Sequence, residues 1–216
     1  MKILILGISG RTGRLVAEEA IKRGHKVAGI VRNPGSLNVK GAEIIAGTPY
    51  DIETVRKAME GCDAVISTLS LVSSSQGLFK KITTPLDSMS VSLGNTVTVM
   101  GENGIRRIVL MTAAGVGDTA HMLPAFFKFL IKISNIRFSY ADHERQEKIL
   151  ASSDLDWTIV RPVGLNGKDN NLTTLTDTDG TGKLKSMISR NAVAHFILCC
   201  IENEQFIREK PAISNK

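Results

Sequence analysis

The sequence predicts an α/β fold with a doubly wound parallel sheet, formed by a single domain over 1–216. Short apolar, β-branched segments alternate with segments of helical periodicity, and glycines stand where the helices should end. This alternation is typical of a buried parallel sheet covered by crossover helices. The predicted strands are Ile3–Leu6, Lys26–Val31, Glu43–Ala46, Ala64–Thr68, Arg107–Thr112 and Trp157–Val160. The predicted helices are Arg11–Lys22, Ile52–Met59, Val91–Asn103 and Tyr140–Ser152.

The chain after the sixth strand departs from this alternation. A polar loop over 166–171 precedes a strand-like segment over 172–176, a glycine-rich turn and a helix over Asn191–Glu202. This pattern predicts a small C-terminal substrate region, with substrate-side segments at about 113–139 and 163–190. The phenylalanine-rich segment 122–133 predicts a helix that covers a ligand, packs on its own domain or forms a dimer contact. Because apolar helices are usually buried, the last two interpretations are favoured.

The composition narrows the class of protein. Hydrophobic residues make up 43% and charged residues 22% of the chain, which is typical of a domain with a proper core. The net charge is +6, but the basic residues are scattered and only 5% of residues are aromatic, so nucleic-acid binding is not expected. No segment has the apolar length of a membrane span or the pattern of a secretory signal. Three cysteines form neither a disulfide framework nor a metal-binding spacing, so we expect a cytoplasmic protein without a metal. The oligomeric state is left open between a monomer and a homodimer.

The first predicted strand is followed directly by a glycine-rich turn with the sequence GISGRTG at positions 7–13. Gly7 permits a tight turn, Gly10 lets a pyrophosphate approach the backbone, and Gly13 allows close packing of the following helix. The helix N-terminus adds free N–H groups and the positive end of its dipole. An ordinary turn is the alternative, but the strand before and the helix after favour a dinucleotide-binding, Rossmann-type fold.

The second predicted strand ends at a basic residue. Sites that prefer NAD usually carry an acidic residue here, which binds the ribose 2′-hydroxyl. Arg32 can instead bind a 2′-phosphate through charge-assisted hydrogen bonds, and Arg11 can approach from the glycine turn. The alternative is that Arg32 is a solvated loop charge. We therefore predict that the cofactor is NADP(H).

The chain also resembles a known family over nearly its full length. The likeness lies in the glycine turn, Val31–Arg32 and segments 61–66, 104–109, 153–162 and 188–196. These resemble the atypical short-chain dehydrogenases/reductases, and particularly the flavin reductase/biliverdin-IXβ reductase group. The resemblance implies that residues of this chain contact four parts of NADP: the pyrophosphate, the 2′-phosphate, the ribose and the nicotinamide. The implied cofactor-binding residues are Gly7, Ser9, Gly10, Arg11, Thr12, Gly13, Arg32, Thr48, Thr68, Leu69, Thr112, Ala113, Pro162 and Val163.

The sequence departs from the family pattern at several places, and Ala113 and Val163 stand where a serine and the flavin reductase's histidine are found. Thr48 replaces an acidic residue that meets the adenine amino group in many relatives, so adenine recognition is expected to be weaker or to shift to Asp51. The catalytic Tyr-x-x-x-Lys is missing, and Ser139 and His143 stand at its tyrosine and lysine positions. Tyr140 is one residue away, which rotates it by about 100° around a helix.

These departures bear on the reaction. Reduction of a carbonyl needs an acid near the developing alkoxide, and the site is poorly supplied with one. Hydride transfer to a flavin, quinone or tetrapyrrole-like acceptor depends more on orientation. The predicted protein is therefore an NADPH-dependent reductase with a small planar acceptor such as a flavin, with Thr112 and His143 as candidate catalytic residues. His143 can equally be a helix-surface histidine. The alternatives are a non-catalytic NADP-binding, redox-sensing regulator and a sugar-nucleotide epimerase-like enzyme.

Overall fold

Strands and helices alternate through the computed structural model of the chain, which describes residues 1–37, 39–71, 82–167, 172–180 and 182–216. The strands of these residues are β1 (Lys2–Leu6), β2 (Lys26–Val31), β3 (Ala42–Ala46), β4 (Ala64–Ser67), β5 (Arg107–Met111), β6 (Asp156–Pro162), β7 (Gly164–Asn166), β8 (Thr174–Asp177), β9 (Met187–Ser189) and β10 (Ala212–Asn215). The helices are α1 (Arg11–Lys22), α2 (Ile52–Met59), α3 (Ser88–Glu102), α4 (Ala125–Ile133), α5 (Ile136–Ala151) and α6 (Arg190–Glu202). Two short 3-10 helices cover Pro34–Ser36 and Gly117–Met122.

The main sheet has eight strands in the order β3-β2-β1-β4-β5-β6-β10-β8. All neighbouring pairs are parallel except β10 and β8, which are antiparallel. The chain starts at β1 in the middle of the sheet, runs outward to β3 and then returns past β1 to β4, so the strand order reverses between β1 and β4. The predicted doubly wound α/β fold is confirmed, and the described residues form a single domain of this kind.

The side chains of β1 divide between the two faces of the sheet. Ile3 and Ile5 belong to the core on the side of α1 and α6, while Leu4 and Leu6 belong to the core that includes residues of α2, α3 and α5. All four side chains are fully buried. A strand that alternates between two buried faces is apolar at every position, which explains the continuous hydrophobic run in the sequence.

Two helices, α3 and α5, begin about one turn earlier than their sequence pattern predicts. The start of α3 at Ser88 is held by α5, because the buried carboxylate of Asp142 accepts hydrogen bonds from the backbone N–H groups of Met89 at 3.0 Å and Ser90 at 3.2 Å. The Ser90 hydroxyl also donates to Asp142 at 2.5 Å. A helix cap supplied from another helix leaves no trace in the local sequence, so the predicted start at Val91 was too late.

The C-terminal region contains more structure than predicted. The strand-like segment 172–176 is β8, which begins at Thr174, but β7, β9 and β10 were not predicted. β10 extends the main sheet beside β6, and β7 pairs with β9 in a separate two-stranded sheet. Positions 168–171 of the predicted polar loop, and position 181 of the substrate-side segment 163–190, lie outside the described residues.

The phenylalanine-rich segment forms α4, which packs against α5. None of its residues is buried, and the side chains of Phe126, Phe129 and Ile133 are 73%, 59% and 47% exposed. The helix therefore packs on its own domain through α5, while the face that carries these three side chains is left uncovered. A dimer contact stays a prediction.

Among the described residues, no helix combines the length and apolar character that crossing a membrane requires.

Candidate cofactor site

The glycine turn between β1 and α1 leaves no space for side chains at two positions. Gly7 has a φ of +80°, and a Cβ there would lie 2.9 Å from the backbone carbon of Thr68. A Cβ on Gly13 would lie 2.1 Å from the carbonyl oxygen of Gly7. Gly10 donates from its backbone N–H to the same oxygen at 2.8 Å, which closes the turn. The first glycine thus permits the turn and the third permits the close approach of α1 to it.

The N-terminus of α1 is prepared for an anion. Its N-cap residue, Gly10, offers no side-chain hydrogen bond, and its first turn contains no acidic residue. In contrast, α2 is capped by Asp51 and α6 is capped by Ser189, whose side chains accept backbone hydrogen bonds at 3.2 Å and 3.1 Å. An uncapped N-terminus keeps N–H groups and a positive dipole end available for a ligand. This arrangement fits the pyrophosphate of a dinucleotide.

A cleft of about 450 Å³ lies beside the turn, at the end of the sheet where the strand order reverses. Open α/β sheets bind their ligands at this position. The predicted residues that line the cleft are Gly7, Ser9, Gly10, Arg11, Thr12, Arg32, Thr48, Thr68 and Leu69. Lining residues that the sequence did not reveal include Tyr50, Ser88, Met89, Met111, Leu165 and Arg190. The structure thus gathers nine of the predicted cofactor-binding residues around one cavity.

One wall of the cleft is formed by the loop after β3. Thr48 and Tyr50 line it, and Asn95 of α3 donates from Nδ2 to the carbonyl oxygen of Tyr50 at 2.9 Å, which fixes the loop. Asp51 does not line the cleft within the described residues. Its carboxylate caps α2 and accepts the hydroxyl of Thr54 at 2.6 Å. The expected shift of adenine recognition to Asp51 finds no support in these contacts, whereas the half-exposed ring of Tyr50 offers a surface on which a base can stack.

Behind the ends of β5 and β6 lies a buried ion-pair network. The hydroxyl of Thr112, which is 4% exposed, donates to Oε1 of Glu147 at 2.9 Å. Arg161 donates from Nε to the same oxygen at 3.0 Å and from Nη2 to Oε2 at 2.5 Å. Arg161 also pairs with Asp118 at 2.6 Å. The hydroxyl of Thr112 thus donates its proton to Glu147. The local sequence could not predict this partner, because Glu147 is 35 residues away in the chain.

The residues predicted to contact the nicotinamide do not themselves line the cleft in the part of the chain that the structure describes. Within the described residues, Thr112, Ala113, Pro162 and Val163 are not among those that line it, and neither is Gly13. Met111 and Leu165 line this side instead. The predicted contacts of the first four residues with the nicotinamide remain predictions.

On α5, His143 is buried and Tyr140 is half-buried, so the alternative that His143 is a helix-surface histidine was wrong. The ring of His143 is 7% exposed, its Nδ1 lies 3.1 Å from Nε2 of Gln146, and burial lowers its pKa to about 4. The Tyr140 hydroxyl donates to the carbonyl oxygen of Ala114 at 3.0 Å, and burial raises its pKa to about 12. Near neutral pH, His143 is therefore an uncharged base and Tyr140 keeps its proton.

The turn, the uncapped helix and the cleft together define a dinucleotide-binding protein of the doubly wound α/β class. Residues 7–204 match the family model described as NAD(P)H-binding. The chain belongs to this NAD(P)H-binding family.

Several known proteins are similar to the chain in sequence or in structure. The uncharacterised sugar epimerase YhfK of Bacillus subtilis is 27% identical over 209 residues, which cover 94% of this chain and 89% of YhfK. ChuY, an anaerobillin reductase from Escherichia coli O157:H7, superimposes with a TM-score of 0.82 at 19% identity and covers 100% and 97% of the two chains. A short-chain dehydrogenase/reductase from Veillonella parvula, solved with NADP, has a TM-score of 0.76 at 18% identity, with coverages of 99% and 94%. At this identity the structural likeness establishes the fold.

Proposed function

We propose that this protein is an NADPH-dependent reductase whose acceptor is a flavin, a quinone or a tetrapyrrole-like molecule. The observation that carries the proposal is the cleft beside the glycine turn and the uncapped N-terminus of α1, which Arg11 and Arg32 line. In addition, α5 contains no Tyr-x-x-x-Lys pair. When bound, NADPH supplies a hydride. The chain holds the pyrophosphate at the N-terminus of α1, binds the 2′-phosphate with Arg32, and orients the acceptor with segments 113–139 and 163–190.

The choice of acceptor follows from the hydrogen bonds and burial of three side chains, Tyr140 and His143 of α5 and Thr112 after β5. Thr112 and Tyr140 donate their hydroxyl protons to protein acceptors, and His143 is a buried neutral base. None of these groups is presented as an acid to an alkoxide, which disfavours an alcohol/ketone pair. An acceptor that takes its proton from solvent needs only correct placement. The description of ChuY as a reductase also favours this proposal, whereas the sugar-epimerase description of YhfK favours the second alternative.

Replacing Arg32 with alanine is expected to remove the preference for NADPH over NADH. Arg32 is exposed at the cleft and is free to form charge-assisted bonds to a 2′-phosphate. Loss of this contact should cost about 1.5–3 kcal/mol, or roughly ten- to a hundred-fold in the Kd of NADPH, with little change for NADH. Both values can be measured by isothermal titration calorimetry.

Arg14→Ala is the matched control. Arg14, which lies on α1, is an exposed arginine like Arg32, but it pairs with Glu18 and does not line the described part of the cleft. The variant should leave both Kd values unchanged. Equal affinity of the unaltered protein for NADPH and NADH would refute the role of Arg32.

A panel of acceptors separates the reductase from its alternatives. The purified protein should oxidise NADPH catalytically with at least one of FMN, riboflavin, quinones or biliverdin, measured by the absorbance of the reduced nicotinamide. His143→Ala should slow turnover about ten-fold or less, because placement contributes more than proton transfer. Clear binding of NADPH without turnover of any acceptor would favour the redox-sensing regulator. A loss of about a thousand-fold or more in His143→Ala would contradict the minor role proposed for this residue.

A further inference from the structure

Arg190 is a cation in the cleft to which the proposed function assigns no individual contact. It is the first residue of α6, and its side chain lines the same cavity as Arg11, the first residue of α1. Its Nη1 donates to the carbonyl oxygen of Asn166 at 2.8 Å, which fixes the guanidinium against β7. Its Nε is buried and has no hydrogen-bond partner among the described residues. A buried donor without an acceptor is costly, so the structure does not satisfy all the donors of this guanidinium, although the residue lines the cleft.

The surroundings of Arg190 repel its charge. Burial, and then the positive charge of Arg11, lower the pKa of the Arg190 guanidinium, and within the described residues no acidic group counteracts them. Two guanidinium groups that approach one another without a carboxylate repel each other. An anion bound in the cleft that both residues line would remove this repulsion.

The position of that anion is limited by the helix N-terminus. Arg11 begins α1 directly after Gly10, where the uncapped N–H groups favour the pyrophosphate. We infer that Arg190 binds the pyrophosphate from the side opposite the glycine turn, so that Arg11, Arg190 and the N-terminus of α1 enclose it. This inference rests on the proposed NADPH-binding function. Because Arg190 is anchored on Asn166, it also connects the bound cofactor to β7.

The Kd values of NADPH and NADH for an Arg190→Gln variant test this inference. The pyrophosphate is common to NADPH and NADH, so the Kd of both should rise by the same factor, roughly ten- to a hundred-fold. Arg32→Ala provides the comparison, since it should weaken NADPH alone. Arg190→Lys keeps the charge but loses the planar fork, and it should weaken both nucleotides by a smaller, equal factor. Calorimetric titrations of the purified protein measure all of these values, and the Kd of Arg190→Gln should also depend less on salt.

Four results would overturn the inference. Unchanged Kd values with a raised KM for the acceptor would show that Arg190 binds the acceptor. A loss confined to NADPH would place it at the 2′-phosphate. Failure of the unaltered protein to bind either nucleotide would reject the proposed function and the inference together, whereas normal binding by both Arg190 variants would reject the inference alone. If Arg190→Gln does not fold, as judged by circular dichroism, the Arg190→Lys titrations decide the question.

Discussion

Replacing Gly10 with valine is expected to abolish binding of NADPH and NADH. Gly10 has φ −74° and ψ 163°, an extended conformation that valine adopts readily, so backbone strain is not the cause. The new side chain would stand at the N-terminus of α1, where the pyrophosphate must approach the backbone. Several charge-assisted hydrogen bonds would be lost together, and each is worth about 1.5–3 kcal/mol, so affinity should fall by a factor on the order of a hundred or more.

A matched substitution separates this effect from general damage. Gly101 lies in α3, and a Cβ there would meet nothing within 4 Å, so Gly101→Val adds the same side chain in open space and should bind nucleotide normally. A Cβ on Gly10 would lie 3.1 Å from the carbonyl oxygen of Gly7, so the turn must shift by a few tenths of an ångström. Gly10→Ala makes the same test with a smaller side chain if the valine variant does not fold. A folded Gly10→Val variant with normal affinity would show that the turn has no role in cofactor binding.

Replacing Glu147 with glutamine is expected to destabilise the protein by about 3–5 kcal/mol. The carboxylate of Glu147 pairs with Arg161 in a buried position, where the side chains are 4% and 3% exposed. Glutamine has the same shape but leaves the guanidinium largely uncompensated, because its other partner, Asp118, is 68% exposed. For a chain of this length the loss corresponds to a fall in Tm of roughly 6–20 °C. Thermal unfolding of the nucleotide-free protein measures it.

The control for Glu147 is an ion pair on the surface. Glu102 pairs with Arg56 at 2.8 Å, and both side chains are about 40% exposed, so water and salt screen the pair and Glu102→Gln should leave the melting temperature almost unchanged. The double variant Glu147→Gln/Arg161→Met lacks both charges of the buried pair and leaves only the more exposed Lys210 and Asp118, so it should be more stable than Glu147→Gln alone. Equal melting temperatures for Glu147→Gln and Glu102→Gln would contradict the importance of the buried pair.

The local sequence predicted most of the central fold because its signals are local. The apolar strand segments and the glycines that end helices do not depend on distant residues. Gly24, Gly61 and Gly104 follow three predicted helices, and their φ values of +86°, +65° and +67° are those of the left-handed conformation that glycine favours. Element boundaries were predicted less accurately where a distant residue fixes them, as Asp142 fixes the start of α3.

The same distinction applies to the cofactor site. The glycine turn is contiguous in sequence, so its residues and its position between a strand and a helix could be recognised from the order of the amino acids alone. Arg190 could not be recognised in this way, because nothing local links residue 190 to residue 11. A basic residue that directly follows a predicted strand, as Arg32 does, carries a positional signal, whereas Arg190 begins a helix and resembles an ordinary surface cation.

The sequence by itself determined the class of the protein: a doubly wound α/β domain with a dinucleotide-binding turn and a basic residue after β2. Periodicity and glycine placement are properties of neighbouring residues, and they can be read without knowledge of the fold. Only the tertiary structure decided the environment of each functional group. It placed the Thr112 hydroxyl on Glu147, enclosed His143 as a neutral base and brought Arg190 beside Arg11. Burial and charge proximity depend on residues far apart in the chain, and for that reason they arise only when the sheet and its helices have packed together.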